Sequence, residues 1–548
     1  MPKIRIRKIS VGLKRLILFA IAAFVFSLFT GILITNNSNQ AANAQMTDTP
    51  TSLDPSTSVT DTISQITSKP LYTHSTWGYE VSDLATGEAL LSQTNNTMFV
   101  TGSILKAYST AAALAAYTPD YRFQTPVYGI GAIQDGVLTG NLVLVASGDF
   151  SFGLRDQADG TLAFNSLPEV DHNYADTGLP GPVLLKDSDP LAALNQLAAQ
   201  VQAAGIREVQ GDVIIDDRLF ETFDGWPDGS IAPIWVNENV LDITVTPAGQ
   251  QVTVDWRPQT AAYSVRAGDI QIVPAGGETQ LNAELVQPGV VQISGQVAAD
   301  ANPLQIWQIP NPADFARTAF IQALARAGIT VSAIATGANP TNLLPPAATY
   351  SEAQKLAEHT SPPLSEFTKV ILKVSYNRAA DLMVCLVAVQ NGDRDCPAGI
   401  APVITTITQL GVSQNSTFMF DGAGSDERDR TTPTDMTTFL RAVAQQPYGV
   451  AFREGLPILG VDGTLATNQK GSPAAGKVQA KTGSRIHGTP DDRLLITGLT
   501  HIGYIEAESG RQLVSAVMLR DVPVASPDEI FAADGDLGAL EAAVQQGF

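Results

Sequence analysis

A basic segment followed by an apolar run opens the chain. Six Lys and Arg residues lie within the first fifteen positions, and the run Leu16–Ile34 is almost wholly apolar. Ala42-Asn43-Ala44 then supplies the small-x-small pattern after which signal peptidases cut. Residues 1–44 are therefore predicted to be a signal peptide, or a membrane anchor if the segment is retained. Either outcome places the rest of the chain outside the cytoplasm, in the periplasm, secreted or anchored to the membrane.

A segment with little hydrophobic periodicity comes next, and it is followed by segments with strand and helix patterns. Residues 45–66 are rich in Thr, Ser, Asp and Pro and have little periodicity, which predicts a disordered linker. Trp77–Asp83 and Ala89–Gln93 flank a turn that contains glycine, and this arrangement predicts a β-hairpin. The alanine-rich stretch from Ser103 to about Tyr117 predicts a helix.

From Phe123 to about Gln308 short alternating strands dominate, separated by Gly, Pro, Asp and Asn. One helical pattern, about Pro190–Ala204, interrupts them. The clearest strand patterns are Gly136–Ala146, Glu208–Asp216, Val252–Trp256 and Val290–Val297. This region is therefore predicted to be β-rich.

Helical periodicity returns in the C-terminal half, and strand patterns close the chain. The predicted helices are about Pro312–Gly328, Tyr350–Glu358, Leu364–Val374, Arg378–Val389, Gly399–Leu410 and Thr434–Gln445. The strand-like stretches Lys477–Thr482, Leu494–Glu506 and Arg511–Leu519 precede a C-terminal helix. Strands, helices and then closing strands predict an α/β (α+β) domain whose sequence is split by a long β-rich insertion.

Charge and cysteine content narrow the classes of function. The chain has 548 residues and a formal net charge of −21, with 33 basic against 54 acidic residues, which argues against a nucleic-acid partner. It contains two cysteines, Cys385 and Cys396, with a turn-like Asn-Gly-Asp between them. In an exported chain they are a candidate structural disulfide, and the alternative is two unpaired thiols. Eleven positions apart and without a neighbouring histidine, they make a poor zinc site.

Ser103-Ile104-Leu105-Lys106 is the only Ser-x-x-Lys sequence in the chain. Positions i and i+3 share a face of a helix, so the Lys106 amine can reach the Ser103 hydroxyl. A serine becomes a good nucleophile when a neighbouring base takes its proton, and a lysine acts as that base when its pKa is depressed. Taken alone, the motif also describes a helix cap followed by a surface lysine.

Lys481-Thr482-Gly483-Ser484 ends one of the closing strand patterns. Hydroxyl groups beside an ammonium group suit a free terminal carboxylate, and Gly483 lets a substrate backbone approach closely. Taken alone, the same sequence also describes an ordinary strand that ends in a turn.

Ser375-Tyr376-Asn377 precedes the helix predicted to start near Arg378. The Ser375 hydroxyl can relay a proton to a leaving amine, and the Asn377 amide can hold a substrate amide through two hydrogen bonds. This is the weakest of the three motifs, since Ser413-Gln414-Asn415 matches it equally well.

Ser-x-x-Lys, Ser-x-Asn and Lys-Thr-Gly in this order are close to the motif set of penicillin-binding proteins and class A β-lactamases. The chain resembles the D-alanyl-D-alanine carboxypeptidase/endopeptidases of the low-molecular-mass class C penicillin-binding proteins. Further matching stretches include 135–142, 147–149, 361–364, 421–425 and 460–465, so that the resemblance runs from about Gly78 to Leu519. The separation of 272 positions from Ser103 to Ser375 fits the extra domains of this class and exceeds what a compact β-lactamase would hold.

The resemblance implies a penicillin-binding/β-lactamase-like transpeptidase domain that cleaves the D-Ala-D-Ala end of peptidoglycan stem peptides through an acyl-enzyme. Its expected catalytic residues are Ser103, Lys106, Ser375 and Lys481. The expected substrate-binding residues are Asn377, Thr482, Gly483 and Ser484. The oxyanion would rest on the backbone N–H groups of Ser103 and Ser484, and β-lactams would be covalent inhibitors.

The implied domain organisation divides the chain at four places. After the signal segment and the linker come a first catalytic part, 67–123, a β-rich insertion of one or two domains, 124–349, and a second catalytic part, 350–548. No metal or other cofactor is expected, since none of the five histidines forms a close metal-binding motif.

Two departures from the family pattern qualify these expectations. Tyr376 stands where the family usually has Asp or Asn, and its side chain is expected to face away from the nucleophile. The polar sequence 485–492 after Lys-Thr-Gly-Ser is expected to form a loop beside the pocket, with His487 as a solvated residue of that loop or as part of the pocket lining. The alternative functions are a catalytically silent cell-wall-binding protein of the same fold, and a β-lactamase.

Overall fold

The computed structural model describes residues 58–175, 181–346, 349–491 and 493–548. The predicted signal peptide or anchor, and most of the predicted linker, lie outside these residues. Among the helices that are described, none combines the length and apolar character needed to cross a membrane.

The helices are, in chain order, α1 Val59–Thr67, α2 Lys106–Tyr117, α3 Ala192–Ala203, α4 Pro312–Arg326, α5 Leu364–Lys373, α6 Asn377–Gln390, α7 Ile400–Gln409, α8 Pro433–Val443, α9 Gly449–Gly455 and α10 Pro527–Gly547. The strands of the first half are β1 Thr76–Asp83, β2 Ala89–Gln93, β3 Phe99–Val100, β4 Arg122–Gln134, β5 Val137–Val145, β6 Val170–Asp171, β7 Pro182–Val183, β8 Glu208–Val209, β9 Val213–Asp216, β10 Val240–Ala248 and β11 Gln251–Arg257. Those of the second half are β12 Ser264–Val273, β13 Gln280–Gln287, β14 Val290–Ala298, β15 Leu304–Gln308, β16 Thr330–Val331, β17 Lys355–Pro363, β18 Arg430–Thr431, β19 Val478–Gly488, β20 Leu494–Glu506, β21 Gln512–Arg520 and β22 Val522–Val524.

An antiparallel main sheet, in the order β19-β20-β21-β1-β2 with β22 beside β20, joins the two ends of the described chain. Alternate residues of its strands enter different cores, as the period-two burial of a sheet requires. Ile502 and Met518 pack with α2, α5, α6 and α8, whereas Ile505 and Leu519 pack with α1 and α10. The main sheet is therefore the middle of three layers, and the motif strand β19 lies at its edge.

The β-rich region builds a separate core. A second sheet has the order β16-β8-β5-β4-β17, with β9 beside β5, and α3 and α4 pack against it. Two three-stranded sheets, β11-β10-β15 and β12-β14-β13, follow in the same region. The predicted mixture of an α/β domain and β-rich structure is confirmed, while the division of the chain at residues 67, 124 and 350 stays a prediction.

Two predicted elements were wrong. Residues 59–66, expected to be disordered, lie in α1, whose Ile63 and Ile66 pack in the core beside α10. Residues 350–358, expected to be a helix, make a single 3-10 turn and then enter β17, which pairs antiparallel with β4. Ser351 and Gln354 do form a helix-capping pair, but the alternate burial of Ala357 and His359 suits a strand.

Cys385 and Cys396 are joined by a disulfide, which confirms the predicted pair. The bond connects the buried helix α6 to a 3-10 turn, Cys396–Gly399, just before α7. It therefore ties together two elements of the core that lies behind the nucleophile helix.

Candidate active site

Ser103 lies in a 3-10 turn, Gly102–Leu105, and α2 begins at Lys106, three residues later than the sequence pattern suggested. The tighter turn still places both residues on one face. Lys106 Nζ lies 2.7 Å from Ser103 Oγ and also donates to the carbonyl oxygen of Ala423, at 2.9 Å. The predicted contact between serine and lysine is present.

Lys106 is fully buried, and this burial changes its acidity. Loss of solvation lowers the pKa of Lys106 to about 8, while the carboxylates of Asp228, Asp381 and Asp421 oppose the shift. Two of these carboxyl groups are hard to ionise. Burial, followed by the other carboxylates, raises the pKa of Asp381 well above its usual range and raises that of Asp421. The site therefore favours a lysine that can be a neutral base near neutral pH.

Ser375 occupies the corner between α5 and α6, and Lys481 reaches it from β19. Lys481 Nζ donates to Ser375 Oγ at 2.9 Å and to the carbonyl oxygen of Thr482 at 2.8 Å. Burial, and then the nearby charge of Lys106, lowers the pKa of Lys481 well below its usual range. A second serine–lysine pair thus lies close to the first.

The two pairs border one open cleft. Its lining includes six of the residues predicted from the motifs, Ser103, Ser375, Asn377, Thr482, Gly483 and Ser484, with the two lysines buried behind the serines. All eight predicted residues are therefore brought together. The hydroxyl of Thr482 lies 2.9 Å from that of Thr464, so that two hydroxyl groups meet at this part of the cleft.

Close approach of the backbone brings the Lys-Thr-Gly strand against the nucleophile turn. Gly102 has φ +51, and a Cβ there would lie 2.6 Å from the backbone nitrogen of Ser484. A Cβ on Gly483 would lie 2.6 Å from the carbonyl oxygen of Thr101. Glycine at both positions allows the Ser484 N–H to lie beside the turn that carries Ser103.

The side chain of Tyr376 is buried in the core. This position agrees with the expectation that it faces away from the nucleophile. Its ring packs edge-on against Phe150, and its hydroxyl accepts a hydrogen bond of 3.3 Å from Arg378. A tyrosine in place of the usual Asp or Asn therefore changes the packing of the core. Its neighbours Ser375 and Asn377 still line the cleft.

The segment after Lys-Thr-Gly-Ser differs from the expected loop. Residues 485–488 continue β19 and pair with β20, so the strand ends at Gly488. Arg485 lines the cleft, whereas His487 lies outside its lining, within 3.5 Å of the Glu427 carboxylate. The expectation that residue 487 belongs to a solvated loop was wrong, because the strand extends through it.

Several residues that line the cleft, or that contact its lining, were not predicted from the sequence. Asp228, from the β-rich region, accepts a hydrogen bond from Asn377 Nδ2 at 2.7 Å and another from the Ser425 hydroxyl. Tyr174 donates to the carbonyl oxygen of Ser375. Ser425 and Thr464 belong to stretches already noted as family signatures, whereas Asp228 and Tyr174 carry no recognisable local motif.

One group of side chains has the spacing of a metal site. Potential ligand atoms of Asp171, His172 and Glu238 lie within 4.8 Å of one another. Arg155 already forms ion pairs with Asp171 and Glu238, and its side chain is fully buried. A guanidinium group between these carboxylates occupies the place of a cation, so the donor set fits an ion-pair network better than a metal.

The sequence profile of the D-Ala-D-Ala carboxypeptidase 3 (S13) family matches residues 59–533, which is most of the chain. The chain belongs to this family. The resemblance inferred from the three motifs is thereby confirmed, together with the class of enzyme, a serine-type D-Ala-D-Ala carboxypeptidase.

Two curated proteins have sequences similar to that of this chain. A D-alanyl-D-alanine carboxypeptidase of an Actinomadura species is 26% identical over 455 residues, which cover 78% of this chain and 76% of that protein. The D-alanyl-D-alanine carboxypeptidase DacB of Haemophilus influenzae is 24% identical over 434 residues, covering 74% of this chain and 79% of DacB.

Solved structures of a penicillin-binding protein share the fold. Penicillin-binding protein 4 of Haemophilus influenzae superimposes with a TM-score of 0.63 at 20% identity, covering 86% of this chain and 97% of that chain. The same protein in complex with a β-lactam gives a TM-score of 0.62 at 19% identity, with 87% and 97% covered. The predicted penicillin-binding fold is confirmed.

Proposed function

We propose that Ser103 is the nucleophile of this S13 enzyme and Lys106 its general base. The observation that carries the proposal is the pair of serine–lysine hydrogen bonds, each made by a buried lysine, that meet in one cleft. Lys106 Nζ takes the proton of Ser103, and Ser103 Oγ attacks the carbonyl carbon between the last two D-alanines of a stem peptide. The resulting oxyanion accepts hydrogen bonds from the backbone N–H groups of Ser103 and Ser484.

Collapse of this intermediate breaks the C–N bond and leaves an ester on Ser103. The departing D-alanine nitrogen receives a proton through Ser375 and Lys481, whose side chains are in hydrogen-bond contact. Water then attacks the ester and frees the shortened peptide. A β-lactam enters by the same attack, but its leaving group stays tethered to the acyl group and blocks the return of water.

Two sides of the cleft bind different parts of the substrate: β19 binds the terminal carboxylate, and the Ser-x-Asn motif binds the stem peptide. Thr482 and Ser484 hold the terminal carboxylate, and Gly483 allows the peptide backbone to lie close to β19. Asn377 positions the stem peptide through its amide group, which Asp228 contacts from the β-rich region. Arg485, which also lies on β19, adds a positive charge to the lining of the cleft.

The location follows from the substrate. We propose that the enzyme acts outside the cytoplasm, as a periplasmic, secreted or anchored protein, because cross-linked peptidoglycan is assembled there. Its partners on this account are peptidoglycan peptides and β-lactams, without a nucleic acid. The domain boundaries predicted from the sequence, with residues 124–349 as an insertion into the catalytic domain, form part of the same proposal.

Release of D-alanine tests the proposal. Residues 45–548 are incubated with a synthetic peptide ending in D-Ala-D-Ala, and in parallel with a chromogenic cephalosporin. We expect steady release of D-alanine and slow turnover of the cephalosporin. No D-alanine from folded protein would indicate a silent wall-binding protein, and fast cephalosporin turnover without D-alanine would indicate a β-lactamase.

A further inference from the structure

Tyr174 lines the cleft and belongs to a part of the β-rich region that is distant in sequence from the motifs. Its hydroxyl donates to the carbonyl oxygen of Ser375 and lies 3.5 Å from Asn377 Oδ1. A single phenol therefore contacts both polar residues of the Ser-x-Asn motif.

Ser375 has a backbone conformation that needs external support. Its φ is +64, in the left-handed region that residues with a side chain rarely adopt. Such a conformation costs free energy and persists where the surroundings fix it. The conformation also sets where the Ser375 hydroxyl points, and that hydroxyl accepts the hydrogen bond from Lys481.

The segment that carries Tyr174 is itself held firmly. The Asp171 carboxylate accepts two hydrogen bonds from the guanidinium of Arg155, at 2.8 and 3.0 Å, and both groups are buried. His172 Nδ1 lies 2.8 Å from Asp242. Although burial alone would lower it, the carboxylates of Asp242 and Glu238 raise the pKa of His172 to about 10. These ion pairs fix the 3-10 turn His172–Tyr174.

The segment is also tied to the far side of the cleft. The backbone N–H of Gly463 donates to Ser166 Oγ at 2.9 Å, and that of Leu167 donates to the carbonyl oxygen of Gly463 at 3.3 Å. Gly463 immediately precedes Thr464, which contacts Thr482. Residues 166–174 therefore span from the Lys-Thr-Gly side to the Ser-x-Asn side.

We propose that Tyr174 is a positioning residue, whose phenol holds the strained Ser375 turn so that the Ser375 hydroxyl stays in the proton relay. Tyr174 does not exchange protons with substrate; it acts through Ser375. The β-rich region thereby contributes to the rate of acylation as well as to the wall of the cleft. This inference rests on the relay role proposed for Ser375.

Tyr174→Phe removes the hydroxyl and keeps the ring. We expect the acylation rate constant with benzylpenicillin and the kcat for D-alanine release to fall by about fivefold to tenfold, the effect of one lost hydrogen bond. KM should change by less than about twofold, because a relay acts on the transition state. The matched control is Tyr117→Phe, since the Tyr117 hydroxyl also donates to a backbone carbonyl, that of Leu386, at 2.9 Å. Thermal unfolding of both variants shows that each is folded.

A double-mutant cycle with Ser375→Ala separates positioning from general destabilisation. If Tyr174 acts through Ser375, Tyr174→Phe lowers the acylation rate in the wild type and has no further effect in the Ser375→Ala background. An equal loss in both backgrounds, a loss matched by Tyr117→Phe, or a wild-type rate for Tyr174→Phe would overturn the inference. A wild-type rate for Ser375→Ala would overturn the relay role itself, and absence of any acylation in the wild type would overturn the proposed function.

Discussion

Replacing Ser103 with alanine is expected to lower D-alanine release by about 10⁴-fold or more, because the acyl-enzyme cannot form without the hydroxyl. The fold should tolerate the change, since Ser103 lines an open cleft and the hydroxyl that is removed bonds to the Lys106 amine. The measurement is the initial rate of D-alanine release from a peptide ending in D-Ala-D-Ala, with a circular dichroism spectrum of each protein.

Ser92→Ala serves as the control, because Ser92 is exposed on β2, outside the residues that line the cleft. It should release D-alanine at the wild-type rate. If folded Ser103→Ala kept more than about one hundredth of that rate, which catalysis by the remaining groups cannot supply, the nucleophile would have to be a different residue.

Replacing Lys106 with methionine is expected to lower the acylation rate constant by about 10³-fold, the middle of the range for a positioned general base. Methionine matches the length of the lysine stem and fills the buried space without a charge. Stopped-flow acylation with a fluorescent penicillin measures the effect. Lys477→Met is the matched control, because Lys477 is partly exposed, pairs with Glu506, and lies next to the start of β19.

The pH dependence separates a base from a residue that only fills space. The amine of Lys106 accepts a proton only when neutral, and burial lowers its pKa to about 8. The acylation rate constant of the wild type should therefore rise as pH increases through about 8 and then level off, while Lys106→Met should lack this rise. A flat wild-type profile between pH 6 and pH 9, or a Lys106→Met variant with the wild-type profile, would contradict the assignment of the base.

Local sequence patterns were enough to find the eight motif residues of the candidate site. Ser103 and Lys106 are three positions apart in a helical pattern, so their contact follows from helix geometry. Lys481 and Thr482 lie on a strand pattern, and the predicted hairpin and closing strands became β1, β2, β20 and β21 of the main sheet. The candidate disulfide was also predictable, since Cys385 and Cys396 flank a turn within one compact segment.

The parts that escaped prediction depend on contacts between distant segments. Tyr174 and Asp228 are 201 and 149 residues away from the motif residues Ser375 and Asn377 that they contact. Nothing in their neighbouring sequence indicates that Tyr174 lines the cleft or that Asp228 contacts its lining. Residues 355–358 of β17 were mistaken for part of a helix, because only pairing with β4, a distant segment, decides their conformation.

The central claim is that Ser103 forms a covalent acyl-enzyme, and intact-mass spectrometry after benzylpenicillin tests it most directly. The account predicts one penicilloyl group added to residues 45–548 of the wild type, and no addition to Ser103→Ala. The wild-type adduct should persist for minutes or longer, because the tethered leaving group obstructs hydrolysis. An unmodified wild-type mass from folded protein, or an adduct retained by Ser103→Ala, would contradict the account.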